Sequence, residues 1–363
     1  MKQSRRIDQA MQEGGMSRRH LLASGAGIVL SGSLLAACGG DSGSSSTGTS
    51  TAAGGASGGA KRIGASLSGV NEYNLQLATG LYKGLGDGGH ELVPMQANWN
   101  ASDELKNIQS LIAQQVDGLD MGPVNVESGQ RGAALAAKAG IPVINYLWEA
   151  ESPADENYIG VIHIDNSGEG GPLIADFVMK ENPGGGKVLL IPGVQGDGFN
   201  EAITTGIKDT LTADYQIAGE QPGNYVRSDA ITAAQNLLSA HPDAKAIVTY
   251  ASEMGNGVAS FLKQKDIKIT HVTSDANPEL LEWLGTPWMA ADRYYSSAQQ
   301  GEMAVSMMVD YLTKGAKPES FVTNLPQWLI TGDDLDPDAG EGKINNEVAP
   351  FAFPEFNAQV SKI

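Results

Sequence analysis

The sequence predicts an α/β protein made of two doubly wound lobes, each with a parallel sheet. Three features point there. Short apolar runs of strand length alternate with amphipathic helical segments from Lys61 to about Thr313. The strand runs are apolar at consecutive positions, as in Val188-Leu189-Leu190-Ile191, the pattern of strands covered on both faces. The alternation breaks once, near Tyr158–Asn166, and leaves two similar halves of about a hundred residues. A single large sheet is the alternative arrangement.

Taken in order, Arg62–Leu67 reads as a strand and Leu75–Leu85 as a helix with apolar residues at helical spacing. Glu91–Met95 is the next strand. A helix follows with Ser102 as its N-cap and Leu105, Ile108, Leu111 and Ile112 on its inner face. Strand Gly118–Met121, helix Glu127–Ala139 and strand Pro142–Tyr146 complete the first half. The second half begins with helix Gly168–Lys180, strand Lys187–Ile191, helix Phe199–Leu211 and, directly after it, helix Asp229–Leu238. Strand Ala246–Tyr250, helix Glu253–Lys263, strand Lys268–Ser274 and helix Pro278–Leu284 come next. A strand around Trp288–Asp292 and a long helix Ala298–Thr313 close the alternation.

The N-terminus reads as an export signal. A positive segment around Arg18-Arg19, an apolar stretch from Leu21 to Ala37 and the run Leu35-Ala36-Ala37-Cys38 supply its three parts. The paired arginines resemble a twin-arginine signal, with the general secretory route as the alternative, and Met16 offers a second start. Leu-Ala-Ala-Cys resembles a bacterial lipobox, which assigns residues 1–37 to the signal and makes Cys38 the lipid attachment site. Cys38 is the single cysteine, so no internal disulfide can form. Residues 38–60 are almost all Gly, Ser, Thr and Ala after the cysteine, a flexible tether with an end-to-end distance of roughly 25 Å. The expected location is the outer face of the cytoplasmic membrane or the periplasm.

Charge narrows the function. The chain carries 24 Lys and Arg against 42 Asp and Glu, a formal net of −18. The signal holds five of the basic residues and two of the acidic ones, so the remainder stands at −21. That surface repels nucleic acid. The five histidines are scattered and no pair has metal-ligand spacing. Asp334, Asp336 and Asp338 alternate like the start of a calcium loop, but Ala339 and Asn345 stand where that loop needs Gly and Glu. No nucleophile elbow or phosphate loop is present. The expectation is therefore a protein that is not an enzyme, with no cofactor and no metal.

In open parallel sheets ligands bind beyond the carboxyl ends of the strands. The loops there supply Asn71, Tyr73, Trp99, Asn145, Trp148, Asp197, Phe199, Asn200, Asp275 and Tyr295 as candidate ligand contacts. Amides and carboxylates bond hydroxyls while rings stack on C–H faces, a combination suited to a small neutral polar molecule such as a sugar or polyol. Asn and Asp are also common in turns and helix caps, which is the competing reading for each.

Several stretches together resemble one family. They are Ile63-Gly64-Ala65-Ser66-Leu67-Ser68 with Asn71, the run from Leu111 to Leu119 leading to Gly122-Pro123, and Ala139–Ile144. Ile164-Asp165-Asn166, Lys187–Gly193, Asn236–Asp243, Glu253-Met254 and Ser274–Pro278 continue the likeness. The body resembles the type I periplasmic binding proteins of the ribose-, galactose- and xylose-binding kind. The resemblance implies two lobes joined by a three-crossover hinge near His163–Asn166, Asp292–Ser296 and Val322–Leu329. The lobes would be 61–163 with 296–323 and 164–295 with 324–335, followed by a tail, 336–363. It implies a solute-binding lipoprotein that closes on its ligand as a monomer and delivers it to an ABC permease and ATPase. A sensor for a receptor kinase or chemoreceptor, or a receptor for a nucleoside, is the alternative. Asp275 matches the family's hydroxyl-binding Asp. By contrast Gly122, Leu147-Trp148, Glu201, Ala251-Ser252 and Tyr295 replace its other polar contacts, so the expected ligand is a monosaccharide, sugar alcohol or modified sugar, with other small polar solutes left open.

The lipobox reading makes one direct prediction. Cys38→Ala should move the protein from the membrane pellet to the soluble fraction on ultracentrifugation; a variant that still sediments with membranes would refute lipid attachment there.

Overall fold

The computed structural model describes residues 59–146 and 158–335. Cys38, the signal and most of the tether, Trp148 and the tail from 336 to 363 lie outside the described residues.

Strands β1 (Arg62–Leu67), β2 (Glu91–Gln96), β3 (Gly118–Met121), β4 (Val143–Asn145) and β5 (Tyr158–His163) share one sheet with β11 (Val322–Asn324). Its order is β11-β5-β4-β3-β1-β2 and every pair in it is parallel. The second sheet holds β6 (Gly186–Ile191), β7 (Tyr215–Glu220), β8 (Ala246–Thr249), β9 (Thr270–Ser274), β10 (Ala291–Tyr294) and β12 (Trp328–Thr331). Its order is β12-β10-β9-β8-β6-β7, parallel except for β12 against β10. The two sheets thus repeat one pattern, with β6 to β10 standing in the second lobe where β1 to β5 stand in the first. In each, the order reverses at the first strand, between β2 and β3 and again between β7 and β8, which creates a crevice at its carboxyl end.

Helices α1 (Glu72–Gly84), α2 (Ala101–Ala113), α3 (Val126–Lys138), α4 (Gly171–Glu181), α5 (Gly198–Thr210), α6 (Arg227–Ala240), α7 (Ser252–Lys265), the short α8 (Pro278–Leu281) and α9 (Ser297–Lys314) flank the sheets. The central strands bury both faces, with Ile63, Ala65 and Leu67 on β1 and Leu189, Leu190 and Ile191 on β6 fully inaccessible. Polar residues at strand ends start the helices. Asn71, Asn125, Asp197, Asn277 and Ser296 each accept a backbone N–H of the first turn.

Several local expectations are corrected. Asn100, not Ser102, caps α2; its side chain accepts from Ser102 N at 2.9 Å and Asp103 N at 3.1 Å. The break at Tyr158–Asn166 contains strand β5, buried among its neighbours. Between α5 and α6 lies β7, an edge strand whose Gln216 and Glu220 face solvent, so its sequence lacks the apolar run of a central strand. β10 begins at Ala291, three residues later than the expected strand. Residues 166–170 form one π-turn ahead of α4.

The chain passes between the sheets after β5, after β10 and between β11 and β12. Fully buried Arg293, at the second passage, reaches the other two. Its Nε donates to Gln327 Oε1 at 2.8 Å and its Nη2 donates to Asn166 Oδ1. Gln327 Nε2 in turn donates to Asp165 O at 2.9 Å. A Cβ on Gly170 would come within 2.6 Å of Arg293 Nε, so glycine is needed beside this junction.

Helix α9, entered from the second passage, lies against α1 of the first lobe. Gly80 and Gly301 make the approach possible, because a Cβ on either would overlap the backbone carbonyl of Ala298 or Leu77. Gly301→Ala should therefore lower the thermal midpoint by several degrees in calorimetry, the scale of about 1–3 kcal/mol for overpacking. A variant as stable as the parent, or more so from alanine's better helix propensity, would contradict this close crossing.

Candidate functional site

Loops from both lobes meet around a small cavity of about 30 Å³, lined by Ser68, Asn71, Tyr73, Trp99, Ile164, Asp197, Phe199, Tyr225, Asp275 and Tyr295. That is the room of a water or two, less than a small-molecule ligand fills. Every lining residue follows the carboxyl end of a strand: β1, β2 and β5 in the first lobe, β6, β7, β9 and β10 in the second.

The aromatic walls are fixed by polar contacts at their edges. Tyr73 donates its hydroxyl to Gln300 Oε1 at 2.8 Å and meets Tyr295 edge-on, with centroids 6.2 Å apart. Gln300 is anchored by donating to Tyr146 O. The Arg293 guanidinium lies 4.7 Å from the Tyr295 centroid and 5.4 Å from that of Phe199. The hinge cation therefore backs two walls of the cavity.

Two carboxyl groups face inward. Asp197 caps α5, one oxygen accepting from Phe199 N at 3.0 Å and the other from the Tyr225 hydroxyl. Burial raises its pKa to about 6, against the opposing effect of those two donors. Asp275 has a left-handed backbone, φ 67°, and its Oδ1 has no hydrogen-bond partner among the described residues. Burial is the main reason its pKa rises to about 7, while Arg293 and the Tyr295 hydroxyl favour the charged form. An unpaired acceptor, held by a disfavoured backbone beside a cavity, is suited to receive a ligand hydroxyl.

Seven of the sequence-selected residues come together here: Asn71, Tyr73, Trp99, Asp197, Phe199, Asp275 and Tyr295. Two described ones do not reach the wall. Asn145 ends β4 between β3 and β5 and is buried in the sheet. Asn200 stands behind the lining, its Oδ1 accepting from Gly193 N at 2.9 Å and its Nδ2 donating to Val194 O at 2.8 Å, so it holds the β6 loop in shape. Trp148 lies outside the described residues. Sequence reasoning missed Tyr225 and Arg293. The pair Asn224-Tyr225 repeats Asn98-Trp99, a signal that was legible once the strand before it was known.

Among the described residues no group of His, Cys, Asp and Glu is placed to hold a metal, and no helix is long and apolar enough to cross a membrane. Two hinged lobes enclosing a small cavity at their switch points define a receptor that traps a solute. The chain belongs to the periplasmic binding protein family, whose domain, described as "Periplasmic binding protein domain", matches residues 66–317. It is a family of solute-binding proteins, not enzymes. The ribose import binding protein of Haemophilus influenzae is 26% identical over 69% of this chain and 84% of its own. Among solved structures, an ABC transporter solute binding protein from Agrobacterium vitis with bound D-fucose has a TM-score of 0.71 at 20% identity, covering 78% of this chain and 99% of that one. A solute binding protein from Bacillus halodurans with bound myo-inositol has a TM-score of 0.70 at 19% identity, covering 77% and 96%.

The raised pKa of Asp275 has a sign that can be measured. A carboxyl with a folded pKa above its unfolded value binds its proton more tightly when folded. Its contribution to stability is full below about pH 4 and is lost as pH rises through about 7. His271, buried and lowered to about 4, acts oppositely: its contribution is full above about pH 6.5 and is lost as pH falls toward 4. The comparison with Asp275→Asn cancels the histidine. Between pH 4 and 7 the ligand-free variant should gain on the parent in unfolding free energy, by a few kcal/mol at most, with its thermal midpoint rising accordingly. A difference independent of pH would show that Asp275 titrates normally.

Proposed function

We propose that this chain is an exported, lipid-anchored receptor that captures a monosaccharide, sugar alcohol or modified sugar between its lobes. It then presents the ligand to an ABC permease and its ATPase. The observation that carries the reading is the unpaired Asp275 Oδ1 set among the rings of Tyr73, Trp99, Phe199, Tyr225 and Tyr295. The carboxylate offers strong acceptors to hydroxyl groups, and the ring faces cover the C–H surfaces of a sugar or polyol. Asn71 and Asp197, the caps of α1 and α5, both line the cavity, so the positive ends of two helix dipoles lie beside it. Relatives named for ribose import, and neighbours solved with D-fucose and myo-inositol, support this ligand class. The protein acts as a monomer through binding, closure and docking; no bond is made or broken.

The test is a thermal-shift screen of the full chain against ribose, D-fucose, xylitol and myo-inositol, with nucleosides and amino acids as the contrast. A ligand at a thousand times its Kd adds about 4 kcal/mol to the native state, a shift of several degrees. Calorimetry should then show at least tenfold weaker binding for Asp275→Ala. A shift with nucleosides or amino acids alone, or unchanged affinity in the variant, would overturn the reading.

A further inference from the structure

The rings of Trp99 and Tyr225 come from opposite lobes and stack on each other, with centroids 5.2 Å apart and planes 30° from parallel. Both line the cavity, and both keep part of their surface toward solvent. They therefore stand at the cavity's outer side, where the lobes part.

The two residues are built into the fold in the same way. Trp99 follows β2 and Tyr225 follows β7, strands that occupy the same edge position in their sheets. Each is preceded by an asparagine, and both members of each pair have left-handed backbones: Asn98 φ 50° and Trp99 φ 60°, Asn224 φ 53° and Tyr225 φ 58°. Asparagine tolerates that region, but an aromatic residue there is uncommon and disfavoured. Surrounding bonds hold the turns: Trp99 N donates to Ser68 O at 2.7 Å and Asn224 N to Gly193 O at 3.3 Å.

Each ring also lies on a glycine of its own lobe. Gly69 comes two residues after β1 and Gly193 two residues after β6, and a Cβ on either would overlap the ring of Trp99 or Tyr225. The Tyr225 hydroxyl donates to the Asp197 carboxylate and contacts Asn200 Oδ1 at 3.2 Å, which ties the ring's position to a cavity carboxylate. Strand position, disfavoured turn and glycine seat are thus all duplicated. Ordinary core packing accounts for none of them, since the rings are partly exposed and meet only across the cleft.

We propose that Trp99 and Tyr225 form an aromatic clasp that latches the two lobes over the ligand and sets how long it is held. The clasp rests on the reading that the ligand lies between the lobes. When the lobes part, the stack must break before the cavity opens, so the ring–ring contact contributes to the barrier to release. Either ring alone then latches nothing.

A double-mutant cycle on the release rate tests this. Stopped-flow dissociation is measured for the tightest-binding of ribose, D-fucose, xylitol and myo-inositol, using the full chain. Trp99→Ala and Tyr225→Ala should each speed release, and the double variant should be slower than the product of the two effects by roughly two- to tenfold, the scale of an aromatic pair. Trp99→Phe keeps a stacking face and should release within about threefold of the parent. Gly69→Ala leaves both rings present but unseats one, so it should release as fast as Trp99→Ala. Strictly multiplicative effects would mean that each ring touches the ligand independently, and would overturn the clasp while leaving the binding site intact. If no member of the panel binds the parent, the sugar-receptor reading fails first and the clasp falls with it.

Discussion

The guanidinium of Arg293 is the interaction on which the rest of the molecule depends. A charge buried this completely is costly unless its donors are matched. Here Nε and Nη2 are spent on the other two chain passages, at Gln327 and Asn166, Nη1 has no hydrogen-bond partner among the described residues, and the guanidinium lies over the rings of Phe199 and Tyr295. The cation therefore joins three segments that are far apart in sequence, shapes two walls of the cavity and favours the ionised form of Asp275. Hinge geometry, pocket shape and pocket charge are three aspects of one buried group.

Much of this architecture could be read from residues alone, and the reasons for the gaps are physical. Central strands such as Val188–Ile191 announce themselves because both faces are buried. The edge strand Tyr215–Glu220 and the short Val322–Asn324 do not, since half-exposed strands carry polar residues and resemble loops. Missing the first of these hid Tyr225, which sits just beyond it. Asp275, Trp99 and Phe199 were legible because strand-end loops are where such folds bind. Asn145 and Asn200 fit the same pattern and go elsewhere, one into the sheet and one into holding its own loop. The role of Arg293 was not legible at all. Its partners lie 127 and 34 residues away, and no local pattern encodes that.

Several residues do two jobs, which explains why the cap and ligand readings of a strand-end Asn or Asp are hard to separate. Asn71 and Asp197 each start a helix and line the cavity. Capping fixes the side chain and so pre-organises the wall, reducing the entropy lost when a ligand is ordered against it. The structural and functional readings of such a residue are then compatible.

The placement of α9 and β11 bears on how the chain is made. The first lobe takes its helix α9 and its edge strand β11 from near the end of the described chain; Tyr73 and Gln300, which bond across it, are 227 residues apart. A nascent chain that has emerged only as far as β5 holds most of one sheet but lacks the helix that covers α1. The second lobe likewise waits for β12. Synthesis from the N-terminus thus cannot complete the lobes one after the other. Long-range contacts of this kind slow folding and leave apolar surface of the unfinished chain uncovered until its last strands are in place.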